Sequence, residues 1–193
     1  MTPNFKSLKD RMTPEELDLY QSFKKRIGRW TKPMHTHRMF SPVLEPGPIT
    51  QFRINNWARI NQDENPLWVN SRYAAGSRWG GIIAPPLLLL TVNDASAPSA
   101  FFVGKLYKPS PNAVLNIEKY PTFRGAMQVD TEWEFFLPVR PGDTVNARTR
   151  FTDIYWKQGK KFRLLFVFGE TIYRNDSRKR VARCCAGAVY LFK

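Results

Sequence analysis

The residues with intrinsically reactive side chains are few. Cys184 and Cys185 are adjacent, and the two histidines, His35 and His37, lie far from them in the sequence. Neighbouring residues on a strand point to opposite faces, so the two cysteines are poorly placed to bridge each other. Paired with His35 and His37 they match no usual zinc spacing, so no metal site is expected, and the histidines are assigned no role. Two buried, reduced thiols fit an intracellular, cytoplasmic protein. The N-terminus lacks the apolar core of a signal peptide, and the most apolar run, residues 81–92, is too short to span a bilayer.

Charge is the stronger signal. The 193 residues carry 30 Lys and Arg against 16 Asp and Glu, a net charge of +14. Such a balance calls for an anionic partner or tolerance of one. Between Arg148 and Arg183 there are eleven basic residues and three acidic ones. Of these, Arg148, Arg150 and Lys157 are candidates for contacting the phosphates of a bound carrier. Tyr155 and Trp156 beside Lys157 resemble an aromatic-plus-basic nucleic-acid surface. No nucleic-acid-binding motif accompanies them, so nucleic acid is not expected. For any one of these residues, a solvated cationic face is the alternative.

The elements that must position these groups are readable from periodicity. Residues 1–40 read as an N-terminal helical arm. Thr13 caps a helix, Pro14 fits its first turn, Glu16 completes a capping box, and Gly28 stops it. Thr50 starts a second helix through Ile54, Trp57 and Ala58, which Asn65-Pro66 ends. Asn70 or Ser71 begins a further turn, and Pro86 opens a helix over residues 87–96 that is apolar nearly all round, hence buried. Residues 103–124 read as a loop. From Gly125 the period changes to two: Met127, Val129, Thr131, Trp133 and Phe135 alternate with polar residues as in a half-buried strand. Three more strands cover residues 144–155, 162–174 and 180–192. The expected fold is α+β: an antiparallel sheet wrapped around a long buried helix, as one domain over residues 41–193.

Two local sequences within that order carry a family resemblance. Ala58-Arg59-Ile60-Asn61-Gln62-Asp63-Glu64-Asn65-Pro66-Leu67-Trp68 resembles the hydratase motif of the MaoC-like hot-dog proteins, commonly Gly-Asp-x-Asn-Pro-Leu-His. Trp79-Gly80-Gly81-Ile82-Ile83-Ala84-Pro85-Pro86 resembles the start of their central helix, and Pro138-Val139-Arg140-Pro141-Gly142-Asp143-Thr144-Val145 their following turn. The family comprises (R)-specific enoyl-CoA hydratases and (3R)-hydroxyacyl dehydratases. In its active members the Asp and His of the first motif handle the water, and a backbone N–H at the helix start polarises the thioester carbonyl.

The chain departs from that pattern at both places. Asp63 matches the aspartate, but Trp68 stands where the histidine belongs. Ala84-Pro85 replaces the usual His-Gly, and proline has no N–H to give. The same losses mark the degenerate N-terminal halves of double hot-dog dehydratases and the non-catalytic subunits of heteromeric hydratases. The resemblance therefore implies a subunit that shapes an acyl pocket, through Trp68, Ala84 and Pro85. It also implies a second MaoC-like subunit that supplies the Asp/His pair, and the surplus positive charge suits an acidic one. A homodimer is the alternative assembly. No cofactor is implied; CoA or acyl carrier protein enters as the carrier of the substrate thioester, in fatty-acid or steroid metabolism. Asp63 is the one catalytic candidate, read either as a surviving carboxylate or as a helix-end residue bonding the Asn65-Pro66 turn. A hot-dog thioesterase using Asp63 and a non-enzymatic acyl-thioester-binding module are the competing functions.

Overall fold

A computed structural model of the chain describes residues 12–30, 47–92 and 120–193, together with the backbone of Met34–His35. The first helix, α1 (Pro14–Lys24), begins as its sequence dictates. The Thr13 hydroxyl accepts from Glu16 N at 3.3 Å, and the Glu16 carboxylate accepts from Thr13 N at 3.2 Å. Glu16 is wholly buried, so its charge needs further partners. Thr122 Oγ1 and Arg163 Nη2 each donate to Oε1 at 2.7 Å, and Arg163 Nη2 also reaches the carbonyl of Lys193 at 2.6 Å. One carboxylate thus ties α1 to two distant residues, Thr122 before β2 and Arg163 of β4, and Arg163 extends the link to the last residue. Gly28, at φ +76°, turns the chain so that its N–H meets the Phe151 carbonyl at 2.9 Å.

Five strands follow the order β1-β3-β4-β5-β2, every pair antiparallel: β1 (Met34–His35), β2 (Phe123–Phe135), β3 (Val145–Gln158), β4 (Arg163–Asn175) and β5 (Arg180–Phe192). The last three form a meander. β2 pairs beside β5, so the segment joining it to β3 must run back across the end of the sheet. That segment carries the Pro138–Val145 turn.

Helices cover one face of the sheet, in two clusters. Leu19, Tyr20 and Phe23 of α1 pack with Phe151, Trp156, Leu165, Tyr190 and Phe192 at one end. At the other end Ile54, Ala58, Trp68, Leu88 and Val92 pack on Val145, Ala147, Tyr173, Ala182 and Cys184. The expected helix over residues 87–96 opens at Pro86 but takes the tighter 3-10 form over Pro86–Thr91. Leu88 and Leu89 are buried, whereas Leu87 is 46 % exposed. Pro85 and Pro86 remove two backbone donors, and Leu88 N closes a tight turn onto the Pro85 carbonyl at 2.9 Å. Residues 93–96, the loop over 103–119, His37 and the boundary at residues 40 and 41 lie outside the described residues.

β2 departs from its half-buried pattern. Met127, Val129 and Phe135 are all exposed, whereas Trp133 is tucked in, stacked on Tyr173 with ring centroids 5.5 Å apart, and Phe123 packs on Phe192 at the strand's start. A register shift between Gln128 and Asp130 puts Met127 and Trp133 on opposite faces of the sheet, and among the described residues β2 pairs with β5 on one side only. Strict alternation in sequence does not mark one face across such a bulge.

The opposite face of the sheet is mixed: Tyr155 stacks on Phe166 and Phe168 toward one end, and a charged cluster fills the other. Glu170 accepts from Arg150 Nε and Arg183 Nε, each at 2.7 Å; Arg183 Nη1 continues to Glu134 at 2.9 Å, and Arg150 stacks over Trp30. Burial pushes the Glu170 carboxyl up, but the hydrogen bonds and charges of Arg183 and Arg150 outweigh it and hold the group below the ordinary glutamate value. Because the folded value is depressed, its contribution is full above the unfolded glutamate pKa of about 4.3 and is lost as pH falls through the folded value. Glu170→Gln should therefore be less stable than the parent chain at neutral pH, with the gap closing in the acid range. Urea midpoints measured across pH 3–7 check this.

Candidate functional site

The site grows from α2 (Gln51–Ile60), which the Thr50 hydroxyl caps by accepting from Arg53 N at 3.2 Å. The helix ends at Asn61, and Gln62, at φ +52°, turns the chain so that Asp63 N reaches the Ala58 carbonyl at 2.9 Å. Asp63 Oδ1 then accepts from Asn65 N at 3.2 Å. Asn65 Oδ1 in turn accepts from Leu67 N at 3.0 Å and starts α3 (Pro66–Val69), with proline at its first position. This short helix delivers Trp68 back onto Asp63: the indole Nε1 donates to Asp63 Oδ2 at 2.9 Å.

Both oxygens of the one candidate carboxylate are therefore engaged by fixed donors. A histidine at position 68 would have a ring nitrogen able to take and return a proton. An indole N–H only donates. Trp68 is itself buried at 8 % exposure, packed in the same cluster as Ala84, Leu88 and Leu89.

A second short helix, α4 (Ser71–Ala75), leads to Trp79 and Gly80, the latter at φ +64°. Arg140, from the β2–β3 connection, holds this strap by donating Nη2 to the Trp79 carbonyl at 2.5 Å. Asp143 Oδ2 accepts from Arg140 N at 2.8 Å and keeps the connection folded. The strap then pairs with the connection once more, Ala84 N to the Val139 carbonyl at 2.7 Å. The donor inventory at the helix start follows. Ala84 N–H is already spent, and Pro85 and Pro86 have none.

Between strap and connection lies a cavity of about 280 Å³. Trp79, Ala84, Pro85 and Leu88 wall one side, Phe136 and Val139 the other, and exposed Arg78 stands at its rim. Of the residues expected at a pocket, Ala84 and Pro85 are brought together here. Trp68 packs near them without lining the cavity, and Asp63 sits behind Trp68. Arg148, Arg150 and Lys157 do not line it either: exposed Arg148 and half-buried Arg150 alternate with buried Ala147, Thr149 and Phe151, and Arg150 is paired with Glu170. Arg78 and Phe136 went unnoticed in the sequence. Their only signal was adjacency, Arg78 to Trp79-Gly80-Gly81 and Phe136 to the connection before Pro138. The cysteines offer no nucleophile: burial, with the neighbouring Cys185, pushes the Cys184 thiol up to about 12, and burial also raises Cys185.

Residues 37–184 match the model of the FAS1-like dehydratase domain region. The chain belongs to that family. As a FAS1-like dehydratase-region protein it is also 26 % identical over 110 residues to a UPF0336 protein of Thermobifida fusca (strain YX), covering 57 % of this chain and 64 % of that relative. Among solved structures it is similar to a chain of the ChsH1-ChsH2 complex from Mycobacterium tuberculosis, with a TM-score of 0.68 and 18 % identity over 90 % of this chain and 95 % of that one. A MaoC-like dehydratase from Rhodospirillum rubrum aligns with a TM-score of 0.53 and 17 % identity, over 84 % and 92 % of the two chains. The fold is the hot-dog, and the chain is a MaoC-like member of it. No helix among the described residues is long and apolar enough to cross a membrane.

If Asp63 is a structural acceptor, its amide should fail in that role, because an amide nitrogen would face one of the two donors. Asp63→Asn is expected to cost about 1–2 kcal/mol, the scale of a lost charge-assisted hydrogen bond in a part-buried site. Trp68→Phe should cost a similar amount, and the double variant less than the sum. Urea denaturation of the three variants tests this.

Proposed function

We propose that this chain is the pocket-shaping subunit of a MaoC-like enoyl-thioester hydratase or 3-hydroxyacyl-thioester dehydratase, inactive in hydration by itself. One observation carries the reading: the indole of Trp68 donates to Asp63 at the position where the family's chemistry needs a proton-transferring histidine. The helix start reinforces it, since Ala84 N–H is committed to Val139 and Pro85 offers nothing to a thioester oxyanion. A partner hot-dog subunit would bring the intact Asp/His pair and the oxyanion donor.

Two features favour such a partner. Among the described residues the β2 edge is long, pairs on one side only and exposes apolar Met127, Val129 and Phe135, the kind of edge that a second sheet extends. One of the similar structures was solved as a complex, ChsH1-ChsH2. The excess charge of +14 suits an acidic partner, or an anionic carrier such as CoA or acyl carrier protein, with exposed Arg148 and Lys157 able to contribute at the outer face.

The test is hydration of crotonyl-CoA and of longer enoyl-CoA by the chain alone and after co-expression with a MaoC-like partner that keeps Asp and His. Activity is expected only in the co-purified complex, with association weakening steeply as salt rises. Robust hydration by the isolated chain, lost in Asp63→Asn, would overturn the reading. Release of free thiol from acyl-CoA by the isolated chain would instead favour a thioesterase.

A further inference from the structure

The rim of the cavity carries a charge pattern that the pocket-wall role does not use. Arg78 stacks its guanidinium over the Trp79 ring at 4.5 Å, and Arg180 stacks over the Phe136 ring at 5.4 Å. Both rings are cavity walls, one on each side. Phe136 N bonds the Val181 carbonyl at 2.9 Å, which sets the end of the connection against the first residues of β5 and brings Arg180 over a ring that lines the cavity. Both arginines are exposed, and among the described residues neither is in a salt bridge. A guanidinium lying flat on an aromatic ring keeps its edge N–H groups pointing outward, in the fork that matches a carboxylate.

We propose that the cavity takes an apolar chain of short to medium length ending in a carboxylate, which Arg78 and Arg180 hold at the rim. The walls are apolar and offer no buried cation, so the chain goes in and the charge stays out. At about 280 Å³ the space lies at the small end of ligand pockets, which run from roughly 300 to 1,000 Å³, so the ligand is compact. A carboxylate directly on the chain fits better than the phosphates of CoA, because the pantetheine arm would carry those well past the rim. The carboxylate belongs either to a free acid or to the far end of a dicarboxylic acyl thioester. This concerns uptake by the chain alone, so it stands or falls separately from the partner subunit.

Calorimetric titration of the full chain at low salt, with octanoate and with octanol, tests it. Octanoate is expected to bind about tenfold or more tightly than octanol, on the scale of a charge-assisted bidentate contact. In Arg78→Gln/Arg180→Gln that preference should vanish while octanol affinity is unchanged; both sites are exposed, and circular dichroism confirms the fold. Raising salt should weaken octanoate only. Equal affinity for the two ligands, a preference that survives in the double variant, or no binding of either would overturn the proposal. N-acetylcysteamine thioesters separate the two sources without the charges of CoA. Arginine-dependent tighter binding of the octanedioyl thioester than of the octanoyl thioester assigns the distal carboxylate. Arginine-dependent binding of free octanoate without that difference assigns the free acid.

Discussion

A carboxylate that accepts from two fixed donors is held in one orientation by its surroundings, with both oxygens engaged. Asp63 is in that position, between Asn65 N and the Trp68 indole. The contact is also architectural. It closes the turn out of α2, and that closure aims α3, seats Trp68 among Ala84 and Leu88, and so braces the back of the cavity.

The second constraint is the pair of prolines at the start of the 3-10 turn. With Ala84 N–H bonded to Val139 and no N–H at Pro85 or Pro86, the usual place to polarise a carbonyl becomes a plain apolar wall. The segment between β2 and β3 completes that wall, and its own position is fixed by Arg140 reaching the Trp79 carbonyl. The result is a cavity suited to holding a chain, with its cations confined to the rim.

Much of the framework could be read from residue order. The capping box at Thr13 and Glu16, the Thr50 start of α2, and the strands β3 to β5 are local signals, set by hydrogen bonding and side-chain period within a few residues. What escaped was set by distant partners. Glu16 looked like a capping residue and is also a buried ion-pair partner of Arg163, 147 positions away. Met127 and Val129 alternate with Trp133 in sequence, but a register shift between Gln128 and Asp130 puts Met127 and Trp133 on opposite faces. Arg78 and Arg180 are ordinary surface arginines in sequence; only the fold places each on an aromatic wall of one cavity. The family motifs located Asp63, Ala84 and Pro85, while the bond between Asp63 and Trp68 required coordinates.

The claim that Asp63 is locked by Trp68 can be tested through the indole proton. In chain labelled with ¹⁵N-tryptophan, the Trp68 resonance is assigned among the six indoles by its loss in Trp68→Phe. The account predicts that this proton exchanges slowly with solvent in the parent chain and markedly faster in Asp63→Asn. A Trp68 indole proton that exchanges as fast in the parent chain as in Asp63→Asn would contradict it, and would leave the Asp63 carboxylate available to water.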